Sequence, residues 1–226
     1  LVQIADVVMA GFPAAFGERH GVRVVGNPVR QEIVALPSPV LRLAERAGRL
    51  RLLIIGGSQG AQVFNQIVPE AVRALPEAKR PQVWHQTGKR DETGVAAAYR
   101  AFLPDAKVAA FIEDMAAAYA WADVVVCRAG AMTVAELAAA GVAAILVPFP
   151  HAADDHQTAN ARFLEVRDAA LLVPQPEFTA ARLADLLTSL AANRSLLRRL
   201  AMNARACATT DATETVAQLC LEAAHA

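Results

Sequence analysis

The chain has 226 residues, 55% hydrophobic and 19% charged, so it carries enough apolar material for a core and lacks the composition of a disordered protein. Lysine plus arginine and aspartate plus glutamate both number 22, and this balance argues against a nucleic-acid partner bound through the overall field. The three cysteines, Cys127, Cys207 and Cys220, form no Cys-x-x-Cys pair, which predicts a reducing, cytoplasmic setting.

The first fifty residues differ from the rest. The apolar string at 4–9 is typical of the end of a helix or strand, so we expect residues 1–30 to be the tail of a preceding, truncated domain. Gly26-Asn27-Pro28 is a turn signal, and Leu36-Pro37-Ser38-Pro39 followed by arginines indicates a connector, placed at residues 31–49.

From residue 50 onward, short apolar runs alternate with helical patterns. Strands are predicted at 52–55, 82–86, 108–111, 124–127, 144–147 and 171–173, and helices near 61–75, 91–102, 115–121, 131–140 and 156–166. This alternation predicts an α/β domain with a doubly wound parallel sheet over residues 50–226. Residues 179–224 should form three outer helices, with Arg194, Arg198, Arg199 and Arg205 on a solvated face.

A glycine-rich turn, Gly56-Gly57-Ser58-Gln59-Gly60-Ala61, follows the first of these strands and opens a helix. Glycines allow close backbone approach and a helix N-terminus favours negative charge, so the turn predicts a phosphate site at which the Ser58 hydroxyl points. The dinucleotide fingerprint would need a glycine at Ile55, and a P-loop would need Lys-Ser or Lys-Thr. A tight turn without a ligand is the alternative.

A second strand–turn–helix unit runs from Cys127 to Glu136. The only polar side chains on its helix are Thr133 and Glu136, three residues apart, so the helix should be buried nearly all round. A buried carboxylate needs a partner, and the vicinal diol of a ribose suits Glu136; an ion pair with a structural arginine such as Arg128 is the alternative. Cys127 is predicted to be a core residue and not a nucleophile.

The motif Phe111-Ile112-Glu113-Asp114-Met115 lies at another strand end. Backbone groups of an irregular strand end can pair with the edge of a base, and Asp114 is placed to cap the helix that follows.

The segment 148–160 changes abruptly from apolar to polar. Asp154 or Asp155 can cap a helix there. Three uncharged hydrogen-bonding side chains follow at i,i+3 or i,i+4 spacing: His156, Gln157 and Asn160. This chemistry suits sugar hydroxyls, and a solvated helix start is the alternative.

The same segment could instead ligate a metal through His151, His156 and the two aspartates. No third histidine or cysteine with ligand-like spacing lies nearby, so no metal is expected.

Taken together, these segments resemble the MurG family, the undecaprenyldiphospho-muramoylpentapeptide N-acetylglucosaminyltransferases of bacteria. The resemblance is carried by Gly26-Asn27-Pro28-Val29-Arg30, the motifs at 56–61 and 111–115, the stretch 123–136, and the stretch 154–161. It covers essentially the whole chain and implies the C-terminal, donor-binding half of a GT-B glycosyltransferase, with a Rossmann-like sheet, plus a remnant of the N-terminal half.

The resemblance implies transfer of GlcNAc from UDP-GlcNAc to lipid I, giving lipid II, with inversion and without a metal or other cofactor. The implied donor contacts are the following: Ser58, Gln59 and Gly60 on the diphosphate, Ile112 on the uracil, Glu136 on the ribose, the turn at Ala131 and Met132 on the phosphates, and His156, Gln157 and Asn160 on the sugar. Arg30 is expected to approach the phosphates on domain closure, and Arg128 and Thr133 complete the set.

No general base can be assigned, because the family's acceptor loops, candidate base and membrane-contacting patch belong to the N-terminal half. Lipid I and the cytoplasmic face of the inner membrane are therefore expected partners only through that half. The chain alone should bind UDP-GlcNAc without turning over lipid I. His156 stands where some members have glutamine, which leaves sugar selectivity open. A non-catalytic donor-binding subunit and a related GT-B enzyme with another acceptor are the alternatives.

Overall fold

The computed structural model describes residues 7–13, 21–57, 60–150 and 155–224. Two short strands, β1 (Val8–Ala10) and β2 (Val22–Val24), pair in parallel as a small separate sheet. The helices α1 (Gln31–Val34) and α2 (Pro39–Leu43) follow, so the predicted connector contains helical turns. The proline at the first position of α2 has the φ that a helix start requires, and the N–H that proline lacks would have no partner within the helix at that position.

The main sheet has six parallel strands: β3 (Arg51–Ile55), β4 (Gln82–Gln86), β5 (Lys107–Ala109), β6 (Val124–Cys127), β7 (Ala143–Leu146) and β8 (Leu171–Leu172). Their spatial order is β5-β4-β3-β6-β7-β8. Helices alternate with them: α3 (Gln62–Ala74), α4 (Glu92–Arg100), α5 (Met115–Trp121), α6 (Ala131–Ala140) and α7 (His156–Glu165). Three more follow: α8 (Ala180–Ala192), α9 (Arg194–Ala206) and α10 (Ala212–Ala224). The prediction of a doubly wound parallel α/β sheet is confirmed.

The sheet separates two apolar cores, because successive side chains of a strand point to opposite faces. In β3, Leu53 belongs to the core that includes residues of α5 and α6, whereas Leu52 and Ile54 belong to the core that includes residues of α3, α8 and α9. Strands buried on both faces appear as unbroken apolar runs, which is why they were recognisable in the sequence.

Four of the six strands differ from the prediction at an end. β3 begins one residue earlier, at Arg51, and β8 ends one residue earlier, at Leu172. The strand expected at 108–111 ends at Ala109, because its partner β4 ends at Gln86, the residue that pairs with Ala109. The strand expected at 144–147 is shifted by one residue to Ala143–Leu146.

Two of the four α9 arginines, Arg194 and Arg205, are only partly exposed and so do not fit the solvated face that the sequence predicted. Arg194 Nη1 donates to the buried carboxylate of Asp123 at 2.9 Å. Arg198 and Arg205 donate to backbone carbonyls in and around α1, α2 and α6. Arg199, whose side chain is 58% exposed, and Arg198, which is also exposed, fit the prediction. Arg194, Arg198 and Arg205 each donate to a carbonyl of the connector and so fasten it to the sheet domain.

Candidate functional site

The order of the strands reverses between β3 and β6. These two lie side by side, with Ile55 paired to Cys127, but the chain leaves β3 towards β4 and leaves β6 towards β7. The crevice beyond the carboxyl ends of strands at such a reversal is where open α/β sheets bind ligands. The two glycine turns singled out in the sequence both follow these strands.

Hydrogen bonds hold Gly57 and Gly60, the described residues on either side of the turn after β3. Gly57 has φ +79° and Gly60 has φ +71°, and Gly60 N donates to Gly57 O at 2.9 Å. Gln86 Nε2 also donates to Gly57 O, at 2.8 Å. A Cβ on Gly60 would collide with the carbonyl oxygen of Thr87, so only glycine fits. Ser58 and Gln59, predicted to hold a diphosphate, lie outside the described residues.

Two helix N-termini without side-chain caps stand at this edge. The N-cap residue of α3 is Ala61 and that of α6 is Gly130, and neither offers a capping side chain. Ala131 and Met132, at the start of α6, are both exposed, and Thr133 is partly exposed. Uncapped N–H groups and two helix dipoles make the edge favourable for an anion. Because its first three residues are exposed or partly exposed, α6 is not buried nearly all round as predicted.

Glu136 lies one turn into α6 with its side chain 16% exposed. Its Oε1 accepts from Arg30 Nη2 at 3.3 Å and its Oε2 accepts from the hydroxyl of Tyr119 at 3.0 Å. The expected charged partner is therefore present, but it is Arg30 and not Arg128. Tyr119 was missed, because no local pattern relates a tyrosine on α5 to a glutamate on α6.

Arg128 is committed to backbone and aromatic contacts. Nη1 donates to the carbonyls of Val147 and Pro148 at 3.1 and 3.2 Å, and Nη2 donates to Gln175 Oε1 at 2.6 Å. Its guanidinium also lies over the ring of Phe149, 5.2 Å from the centroid. Partial burial lowers its pKa. These contacts tie the β6 turn to the chain leaving β7; a direct contact with substrate remains a prediction.

The polar residues of α7 link the loops around the crevice. Gln157 Oε1 accepts from Phe149 N at 2.9 Å, and Asn160 Nδ2 donates to Ala129 O at 3.1 Å. Asp155 occupies the N-cap position with φ +52° but does not cap the backbone; its Oδ1 accepts from the Thr158 hydroxyl at 2.7 Å.

A cavity of about 900 Å³ opens beside α7. His156 and Asn160 line it from α7 and Ala131 from α6, while Phe12 and Asn27 line it from the N-terminal part. The predicted sharing of one face by His156 and Asn160 fits this arrangement. Gln157 is not among the lining residues.

A second cavity, of about 490 Å³, lies at the start of α5. Arg30, Glu113 and Met115 are among its lining residues. Ile112, the residue before Glu113, is buried. Asp114 Oδ1 accepts from Ala117 N at 2.8 Å, which confirms the predicted cap of α5.

Cys127 is fully buried at the end of β6, and burial raises the pKa of its thiol to about 12. Its place in the apolar core confirms the prediction of a core residue, and the raised pKa makes the thiol a poor nucleophile at neutral pH.

Within the described ranges, which leave out His151 and Asp154, no group of three or more histidine, cysteine or acidic side chains could hold a metal ion. No helix in the same ranges is long and apolar enough to cross a membrane.

Residues 51–219 match the model of the glycosyltransferase family 28 C-terminal domain. The chain belongs to glycosyltransferase family 28. One relative is 51% identical to this chain over 225 residues: the UDP-N-acetylglucosamine–N-acetylmuramyl-(pentapeptide) pyrophosphoryl-undecaprenol N-acetylglucosamine transferase of Marinobacter nauticus. The corresponding transferase of Ralstonia nicotianae is 53% identical over 229 residues. Both alignments cover 100% of this chain, but 62% and 61% of the relatives.

The crystal structure of MurG from Acinetobacter baumannii is similar, with a TM-score of 0.84 at 39% identity, covering 96% of this chain and 60% of that one. The resemblance to the MurG family and the predicted fold are confirmed. The chain spans about three fifths of the length of these two relatives.

Proposed function

We propose that this chain is the donor-binding part of a glycosyltransferase of peptidoglycan synthesis that transfers GlcNAc from UDP-GlcNAc to lipid I, forming lipid II with inversion. The observation that supports this most strongly is the grouping, at one strand reversal, of two uncapped helix N-termini and a Glu136 carboxylate held by Tyr119. An anion site beside an acceptor for a diol is the pattern that a nucleoside diphosphate requires.

The donor is proposed to lie across the crevice. Its uracil pairs with backbone groups at Ile112, its ribose with Glu136, and its diphosphate with the turns at Gly60 and Ala131. The GlcNAc faces His156, Gln157 and Asn160 on α7, whose hydrogen-bonding groups suit hydroxyls.

The chain's contribution to the reaction is electrostatic. The leaving UDP gains negative charge as the bond between the anomeric carbon of GlcNAc and the β-phosphate oxygen breaks. Preorganised N–H groups at the starts of α3 and α6, together with the Arg30 guanidinium, stabilise that charge in the place of a metal ion. The general base is not proposed among these residues.

The domain assignment is also proposed. Residues 50–226 hold the donor, residues 31–49 connect, and residues 1–30 belong to the acceptor-binding domain. Binding of lipid I and association with the cytoplasmic face of the inner membrane fall to the part of the relatives that this chain does not span.

Titration calorimetry tests donor binding. UDP-GlcNAc should bind the chain more tightly than an ADP-sugar, and Glu136→Gln should weaken binding of UDP-GlcNAc. The same substitution at the exposed Glu165, at the far end of α7, should change nothing. Equal affinity for the two nucleotide sugars would exclude the proposed donor.

Transfer is tested separately with lipid I and labelled UDP-GlcNAc. The chain alone should give no lipid II, and turnover by it would contradict the assignment of acceptor binding to another part of the protein.

A further inference from the structure

Tyr119 is a buried tyrosine whose hydroxyl reaches the carboxylate of Glu136. It lies on α5, is 1% exposed, and donates to Glu136 Oε2 at 3.0 Å. Because α5 begins just after Ile112, this bond joins the element proposed to hold the uracil to the one proposed to hold the ribose.

The Tyr119 phenol keeps its proton near neutral pH. Burial raises its pKa well above the ordinary value of 10.0, and the nearby charge of Glu136 raises it further. A protonated phenol bonded to a carboxylate can act only as the donor in that bond, so the direction of the hydrogen bond is fixed.

The two oxygens of Glu136 have different surroundings. Oε2 faces the buried phenol, whereas Oε1 faces Arg30, whose side chain is 47% exposed and lies 3.3 Å away. Ion pairs with an exposed, long side chain are weak and easily exchanged, while a buried charge-assisted hydrogen bond is not. Oε1 is therefore the oxygen that a ligand can reach.

We propose that Tyr119 is a positioning residue that fixes Glu136 so that Oε1 is presented to the ribose, whose hydroxyl replaces Arg30 there. Displaced Arg30 is then available to the diphosphate. A glutamate already held in one rotamer loses less freedom on binding than one that rotates, which strengthens binding. The inference rests on the proposed function, since it concerns the ribose of a nucleotide donor.

Titration calorimetry with two nucleotides separates positioning from a merely structural role. UDP carries the ribose diol and 2′,3′-dideoxy-UDP lacks it. Tyr119→Phe should weaken UDP binding about fivefold to tenfold, the effect of about one hydrogen bond, and 2′,3′-dideoxy-UDP binding less than about twofold.

Tyr99→Phe is the matched control. Tyr99 is also 1% exposed and its hydroxyl is bonded to a buried side chain, His85 Nδ1, at 3.1 Å. Loss of this buried hydroxyl should change the affinity for either nucleotide less than about twofold, because the bond touches none of the proposed donor contacts.

The possible outcomes distinguish the two proposals. If Tyr119→Phe weakens the binding of UDP and of 2′,3′-dideoxy-UDP equally, or weakens neither, the positioning role is overturned and the proposed function stands. Failure of the unchanged chain to bind UDP overturns both.

A crystal structure of the unchanged chain with UDP gives a second test that needs no variant. The expected result is a ribose hydroxyl on Oε1, Arg30 displaced, and the bond from Tyr119 to Oε2 retained. A Glu136 side chain that turns away from Tyr119 to reach the ribose would overturn the inference.

Discussion

Asp123 is a buried carboxylate that joins three separate parts of the chain. Its side chain is 1% exposed, and Oδ2 accepts from Arg194 Nη1 at 2.9 Å and from Arg51 N at 3.0 Å. Arg46 Nε lies 3.7 Å from Oδ1. The cluster therefore connects the end of the connector, the first strand of the main sheet and the start of α9.

Substitution of Asp123→Asn keeps the shape but leaves the guanidinium groups of Arg46 and Arg194 without their counter-ion. Removing one partner of a buried ion pair costs about 3–5 kcal/mol. The two arginine side chains are 14% and 29% exposed, so partial hydration reduces the expected loss to about 2–4 kcal/mol of unfolding free energy.

Asp105→Asn provides a control that differs mainly in burial. Asp105 Oδ2 lies 2.8 Å from Arg49 Nη1, but the two side chains are 50% and 36% exposed. Its loss should cost less than about 1 kcal/mol and should be smaller in high salt, because solvent already screens the pair. Urea unfolding followed by circular dichroism measures both variants. Losses that agree within about 0.5 kcal/mol would refute the reasoning, since distance and not burial would then set the cost.

Three further outcomes are expected. Burial lowers the pKa of His85 to about 3, so below pH 6.5 this imidazole takes up a proton in the unfolded chain but not in the folded one. The free energy of unfolding should therefore fall by about 2–3 kcal/mol between about pH 6.5 and 4.5. A His85→Phe variant with the same pH dependence would contradict this. Gly60→Ala should lower the free energy of unfolding, measured in urea, more than Gly57→Ala does. Both glycines have positive φ, but only a Cβ on Gly60 would meet a backbone carbonyl, that of Thr87. Equal losses of unfolding free energy would argue against that contact. Cys127 should react with iodoacetamide at about pH 8 only after unfolding, whereas the exposed Cys220 should react in the folded chain; peptide mass spectrometry separates the two sites, and modification of Cys127 in the folded chain would show that its thiol is accessible.

Elements with strong periodicity were predictable from the sequence. The boundaries of β4, β6, α5 and α6 agree with the prediction, because apolar runs and glycine turns bound them locally. The end of β5 was not predictable in the same way, since it depends on where the partner strand stops and not on its own residues.

The parts of the site that the sequence missed depend on contacts between distant residues. The charged partner of Glu136 is Arg30, 106 positions away, and no spacing rule selects it over the nearer Arg128. The spacing of the α9 arginines likewise predicted a polar helix face, but the acceptors of Arg194 and Arg205 lie on distant parts of the chain that this spacing does not identify. Charge patterning identifies a helix face but not what lies against it.

A crystal structure of the chain with UDP-GlcNAc tests the central proposal most directly. We expect the uracil at the Ile112 backbone, the ribose on Glu136, the diphosphate at the starts of α3 and α6, and the sugar against His156 and Asn160. A nucleotide bound elsewhere, or bound with its ribose away from Glu136, would contradict the account.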